Sequence, residues 1–202
     1  MAVGLIRGDK TPVHDGVNTS GHIIAYIGWS ETPFRENLIT KIKKVKPVPV
    51  ECDIAVVLLA DNNRIQEQSD LIFHNNRVHS KTNAIQLLSQ PYFESAGEAY
   101  NEQIEIYLDA LGSEYDKIQF IGCIYDADKR KQDFDMIDDM YITLIDVDYN
   151  YEICRFYLQQ DYKELSSMFI GEIHRYEYGW EFEALGNGSH DVGIMHAIKR
   201  YT

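Results

Sequence analysis

Carboxylates and side-chain amides gather at four places in this chain. Glu51 and Asp53 stand at the start of the apolar run Ile54 to Ala60, and Asn75 and Asn76 follow the segment Asp70-Leu71-Ile72-Phe73-His74. Glu98, Asn101 and Glu102 precede Ile104 to Leu108, while Asp126 and Asp128 follow Ile118 to Tyr125. These are hard oxygen donors, and Ca2+ takes about six to eight of them in flexible geometry, whereas Mg2+ takes fewer and keeps waters. Softer metals draw on His and Cys, and within these clusters only His74 is of that kind. Eight aspartates stand from Asp126 to Asp148 against Lys129, Arg130 and Lys131. Such a run by itself is a solvated surface, and what singles these acids out is their place at strand ends. Clustered carboxylates repel one another unless a cation neutralises them. Calcium is the sharpest reading.

The elements that position these groups are mostly strands. His22 to Trp29 reads as a buried strand, and Ile54 to Ala60 as one buried on both faces, with Asp70 to His74 returning beside it. If those two pair antiparallel, Glu51 and Asp53 share an edge with Asn75 and Asn76. Ile104 to Leu108 and Ile118 to Tyr125 read as a second pair that repeats the arrangement. Tyr141 to Ile145 with Tyr151 to Tyr157 is a hairpin, and Met168 to Tyr176 with Trp180 to Ala184 is another, turning at Tyr178-Gly179. Asp135 to Asp139 reads as a helical turn and His190 to Arg200 as a short helix. Phe34 to Lys46 is polar and basic, closed by Pro47-Val48-Pro49. Many short strands separated by turns predict an all-β, mainly antiparallel two-sheet β-sandwich with one or two short helices. One domain over 1–202 is the expected organisation.

Composition narrows the function. The chain has 202 residues, 19 Lys+Arg against 32 Asp+Glu, and a net charge of −13. Such a chain repels phosphate backbones, and Lys41, Lys43, Lys44 and Lys46 are too few to reverse that, so nucleic acid is not expected. The longest apolar run is seven residues, far short of a membrane span, and the start lacks the pattern of a signal peptide. Cys52, Cys123 and Cys154 adjoin strand-like runs and read as reduced core cysteines of a cytoplasmic protein.

Other chemistries find little support. Asp146-Val147-Asp148-Tyr149-Asn150 imitates the opening of an EF-hand loop, but Tyr151 occupies the glycine position and Tyr157 the final glutamate position. Gly188-Ser189-His190-Asp191 contains hydrolase residue types, yet adjacent residues cannot converge as a triad. No phosphate-cradling glycine motif is present. His22, His74, His79, His174, His190 and His196 show no metalloprotease spacing and read as surface or hydrogen-bonded residues. Tyr176, Tyr178 and Trp180 read as packing across their hairpin.

The segment Val50-Glu51-Cys52-Asp53-Ile54-Ala55-Val56-Val57-Leu58-Leu59, followed by Leu71-Ile72-Phe73-His74-Asn75-Asn76, resembles the "FDLDASAFLL … FIFYNN" signature of the TerD family, the bacterial tellurite-resistance and stress-response proteins. The resemblance continues through Gly28-Trp29, Ile124-Tyr125-Asp126-Ala127-Asp128, Gln132-Asp133-Phe134, and Phe169-Ile170-Gly171-Glu172-Ile173-His174-Arg175 leading to Trp180. It covers nearly the whole chain in order, and the order is more specific than any single motif.

The resemblance implies a β-sandwich that binds Ca2+ at its loop end within a stress-response assembly near the inner membrane, with no established enzymatic reaction. It assigns Asp53 to the second Asp of a DxD, Asn75 and Asn76 to an NN pair, Asp126 and Asp128 to a DAD, and Glu98, Asn101 and Glu102 to an acidic loop. The departures are Glu51 for the first Asp, Ala55 for Ser, and Tyr100 and Asn101 for two acids. They leave donors for one Ca2+ site and weaken a second. Protein partners, other stress-response or TerD-like proteins, are expected by resemblance alone. The competing reading is a TerD-like interaction domain that no longer needs metal.

Overall fold

Two six-stranded sheets carry the apolar pattern in the computed structural model, which describes residues 3–31, 48–94, 100–158 and 162–202. The first sheet runs β1 (Val3–Leu5), β10 (Tyr151–Tyr157), β9 (Ile137–Asp146), β3 (His22–Glu31), β7 (Tyr100–Tyr107) and β6 (Ile85–Leu87). The second runs β2 (Lys10–His14), β12 (Gly179–Ser189), β11 (Ser167–Tyr176), β8 (Lys117–Ile124), β4 (Cys52–Leu59) and β5 (Leu71–Ile72). Among these ladders β1 with β10 is parallel and the others are antiparallel. The expected all-β sandwich is the observed architecture.

The core lies between the sheets. Ile23, Ala25, Ile27 and Trp29 of β3 belong to the same buried cluster as Ile54, Val56 and Leu58 of β4, Phe120 of β8 and Phe182 of β12. Each large apolar side chain buried there contributes about 1.5–3 kcal/mol. The continuous apolar run of β4 has a physical cause. Its other phase, Ala55, Val57 and Leu59, is covered by α2 (Ile194–Ala197) and the 3-10 turn Ile198–Tyr201, through Ile194, Ala197, Ile198 and Tyr201. The sheet is therefore dry on both faces at this strand.

The two later hairpins form as expected, β9 with β10 and β11 with β12. The second expected pair does not. Ile104 to Tyr107 falls in β7, between β3 and β6, whereas Ile118 to Ile124 falls in β8, between β4 and β11. The intervening chain crosses from one sheet to the other through the 3-10 turn Leu108–Ala110 and the buried Leu111 and Tyr115. The helical turn expected at 135–139 is the 3-10 turn Phe134–Met136, and β9 begins directly after it. The basic segment 34–46 lies outside the described residues.

A β-bulge between Phe169 and Gly171 shifts the register of β11 against both neighbours. Met168 and Ile170 point into the core, and after the bulge Ile173 does so instead. Gly171 is required there, because a Cβ would lie 2.4 Å from the Phe182 ring and 2.9 Å from the Glu183 carbonyl. The phase change turns Glu172 and His174 onto the outer face.

Candidate metal centre

Strand phase decides which of the predicted ligands can meet. On β4, Asp53 shares the outer phase of Ala55 and Val57, and its carboxylate is 4.0 Å from His74 Nδ1. On β7, Glu102 shares the inner phase of Ile104 and Ile106. The two carboxylates thus belong to different sheets and opposite faces. They nevertheless share one end of the sandwich, since the charge of Asp53 acts on Glu102.

Burial pushes both carboxyls above their ordinary values. At Asp53, His74 and Arg130 oppose the shift and Glu51 adds to it. At Glu102, Arg77 opposes it and Asp53 adds to it. His74 stands by Asp53, and Arg77 lines one cleft with Glu102, so the segment 74–77 neighbours both acids. In that segment the Asn76 amide nitrogen donates to the Leu71 carbonyl at 2.7 Å. Asn75 is exposed at the tip.

Glu102 and Asn101 line an open cleft of about 410 Å3 with Arg77, Leu88, Ser89, Pro91 and Gln103. The Asn101 amide oxygen accepts from Gln103 Nε2 at 3.3 Å. Gln103 itself is buried and holds the neighbouring loop, accepting from the Tyr92 and Phe93 amides at 2.9 Å and donating to the Phe93 carbonyl at 2.7 Å. Glu98 lies outside the described residues.

Asp126 enters α1 (Ala127–Arg130) with a left-handed φ of 50°, and both its carboxylate oxygens accept from Lys129, at 3.0 and 3.2 Å. Asp128 is exposed in the first turn of that helix. Arg130 reaches Glu51 at 3.2 Å, its guanidinium stacked over the Tyr125 ring. The acids of this end therefore stand among Arg77, Lys129 and Arg130. Among the described residues, no three of the His, Cys, Asp and Glu side chains here bring ligand atoms within 4.8 Å of one another. Arg77 and Gln103 were not singled out by sequence. Arg77 directly follows Asn76, and that adjacency was the available signal.

Asp53 and Glu102 are hard oxygen donors of the kind a divalent cation takes, whereas Asn75 and Asn76 line a different cleft, with Gln68, Ser69 and Met195. Two half-buried carboxylates with raised pKa values hold negative charge at a cost, and a divalent ion would remove that cost.

Two other polar clusters are closed to chemistry. Asp70, Tyr115 and His79 are fully buried, with the Tyr115 hydroxyl donating to Asp70 at 2.8 Å and lying 3.2 Å from His79 Nε2. Ser189 bonds to Asp191, which also pairs with Arg200, while His190 turns to the Glu164 carbonyl at 2.9 Å. Those three adjacent residues do not assemble a triad. Cys52, Cys123 and Cys154 are free and buried. No helix among the described residues is long and apolar enough to cross a membrane.

A two-sheet sandwich with acids and asparagines at one end defines the class, and the comparisons define the family. The TerD domain model matches residues 1–201, and the chain belongs to the TerD family. It is similar to the stress response protein SCP2 of Bacillus subtilis (strain 168), at 28% identity over 201 residues and 100% of both chains. It is also similar to the tellurium resistance protein TerD of Serratia marcescens, 28% identical over 93% of this chain and 91% of that one. Among solved structures, a homologue of telluride resistance protein (TerD) from Streptomyces coelicolor A3(2) shares the fold. Its TM-score is 0.58 and its identity 16%, over 90% of this chain and 97% of that one.

Proposed function

We propose that this chain is a calcium-binding, non-enzymatic stress-response module that works within a cytoplasmic protein assembly, in the tellurium-resistance and stress class its relatives' names describe. The observation that carries the calcium reading is the pair Asp53 and Glu102, half-buried and raised by burial, with the charge of one acting on the other. Ion binding converts an end that disfavours its own charge into a neutralised one, so the ion acts as a switch on this end of the sandwich. Family membership supports the stress role. The Asp70–Tyr115–His79 network is fully buried, so those three residues serve the fold and not a substrate. Two Ca2+ would bring the net charge from −13 only to −9, which favours protein partners over direct contact with anionic lipid. The natural partners of such a module are other TerD-like or stress-response proteins, in an assembly that a membrane-associated component anchors.

A metal-free scaffold is the second reading. The ion pairs of Lys129 with Asp126 and Arg130 with Glu51 favour it, since bases already occupy two acids. Thermal unfolding of chelator-stripped protein, titrated with Ca2+ and separately with Mg2+, separates the two. At about a hundredfold Kd, a ligand specific to the folded state adds about 2.7 kcal/mol, roughly 5–10 °C in a chain of this size. The calcium reading requires that rise with Ca2+ and its loss in Asp53→Asn. A flat response at millimolar Ca2+ leaves the scaffold.

A further inference from the structure

The bulge at Gly171 places a second ligand set far from the acidic end in chemistry and in the fold. Glu172 and His174 of β11 face outward, and across the ladder Glu172 lies opposite Glu183 and His174 opposite Glu181 of β12. Glu172, His174 and Glu183 each offer a ligand atom, and these atoms all lie within 4.8 Å of one another. We propose that Glu172, His174 and Glu183 form a site for a borderline divalent cation of the Zn2+ class on the outer face of the second sheet.

The imidazole supplies the argument that a mere patch of acids lacks. His174 Nε2 lies 2.9 Å from Glu181 Oε1, and a carboxylate can only accept, so Nε2 carries the proton. In the neutral ring Nδ1 is then a lone pair. That atom is enclosed and has no hydrogen-bond partner, with Glu172 Oε1 at 3.7 Å. A lone pair beside a carboxylate oxygen forms a pair of donors that one metal cation can bridge. The carboxylate on Nε2 is the usual outer partner of a metal-bound histidine, fixing the tautomer and raising ligand basicity. The cluster is also mostly withdrawn from water, with Glu172 12% and His174 15% exposed.

One nitrogen and two carboxylate oxygens suit Zn2+ or a similar first-row divalent ion, and they are too few and too mixed for Ca2+. Two lysines pair with the carboxylates, Lys117 with Glu172 at 2.9 Å and Lys10 with Glu183 at 2.9 Å. The cation would displace them. Lys10 is half exposed and free to swing into solvent, so it is the competitor whose removal tightens binding.

Calorimetry of the chelator-stripped full chain with Zn2+, in excess Ca2+, tests this, with the visible spectrum of added Co2+ as the direct report on ligation. The expected result is one Zn2+ taken up by wild type, at least tenfold weaker in His174→Gln and in Glu183→Gln, unchanged in His190→Gln and Asp53→Asn, and several-fold tighter in Lys10→Ala. Equal Zn2+ affinity in wild type, His174→Gln and Glu183→Gln, or no uptake by wild type and Lys10→Ala, overturns the site. Neither outcome bears on Ca2+ at the acidic end, which is read separately by Ca2+ titration of wild type and Asp53→Asn.

Discussion

Asp53 and Glu102 come from different sheets and opposite strand phases, yet the charge of Asp53 helps hold the Glu102 carboxyl above its ordinary value. Burial is the larger cause at both residues. In both, the folded state takes up a proton more readily than the unfolded chain, so ionisation costs stability above the folded pKa and that cost disappears as the pH falls.

Without metal, Asp53→Asn and Glu102→Gln are therefore expected to be neutral or slightly stabilising at pH 7, by about 1–2 °C. In the same variants the Ca2+-dependent rise is expected to vanish. Differential scanning calorimetry with and without chelator reads both halves. Ca2+ affinity should also weaken as the pH falls toward the carboxylate range, because protons compete for the ligands.

The Asp70–Tyr115–His79 network gives a pH dependence of the opposite sense. Burial holds His79 below its ordinary value of 6.5 despite Asp70. Its contribution to stability is complete above that value and is lost as the pH drops through it, because the unfolded chain protonates first. Urea midpoints compared between about pH 7.5 and 5.5 should fall more in wild type than in His79→Gln. Tyr115→Phe strips Asp70 of a buried donor and should cost about 1–3 kcal/mol.

Gly171→Ala should destabilise by about 1–3 kcal/mol, since its Cβ meets the Phe182 ring and the Glu183 carbonyl. Gly4, whose Cβ would meet nothing within 4 Å, is the control, and Gly4→Ala should leave the urea midpoint nearly unchanged.

The three thiols should be silent in the folded protein. Burial pushes Cys123 and Cys154 up to about 12 and Cys52 well above its usual range. A chromogenic disulfide reagent at pH 8 is expected to find none until denaturant is added, and then all three.

The sandwich was legible because β3, β4, β9 and β11 carry unbroken or alternating apolar runs bounded by turn residues. The partner of β7 was not, because a short connection between two strands looks the same whether it turns back within a sheet or crosses to the other. The acidic residues were visible as types. Which of them could meet was not, because β4 is apolar on both phases and so conceals which way Asp53 points. The outer-face set of Glu172, His174 and Glu183 was hidden by the bulge, which breaks the period-two count at Gly171. Lys129 and Arg130 stood out as the bases within the acidic run, but only the fold shows that they reach Asp126 and Glu51.

The most direct test of the account is isothermal calorimetry of Ca2+ with the chelator-stripped chain, beside an Asp53→Asn, Glu102→Gln double variant. The account predicts saturable uptake by wild type, with Mg2+ a poor competitor, and no measurable heat from the folded double variant. Ca2+ uptake that is equal in the two proteins, or absent from wild type at millimolar ion, would contradict it.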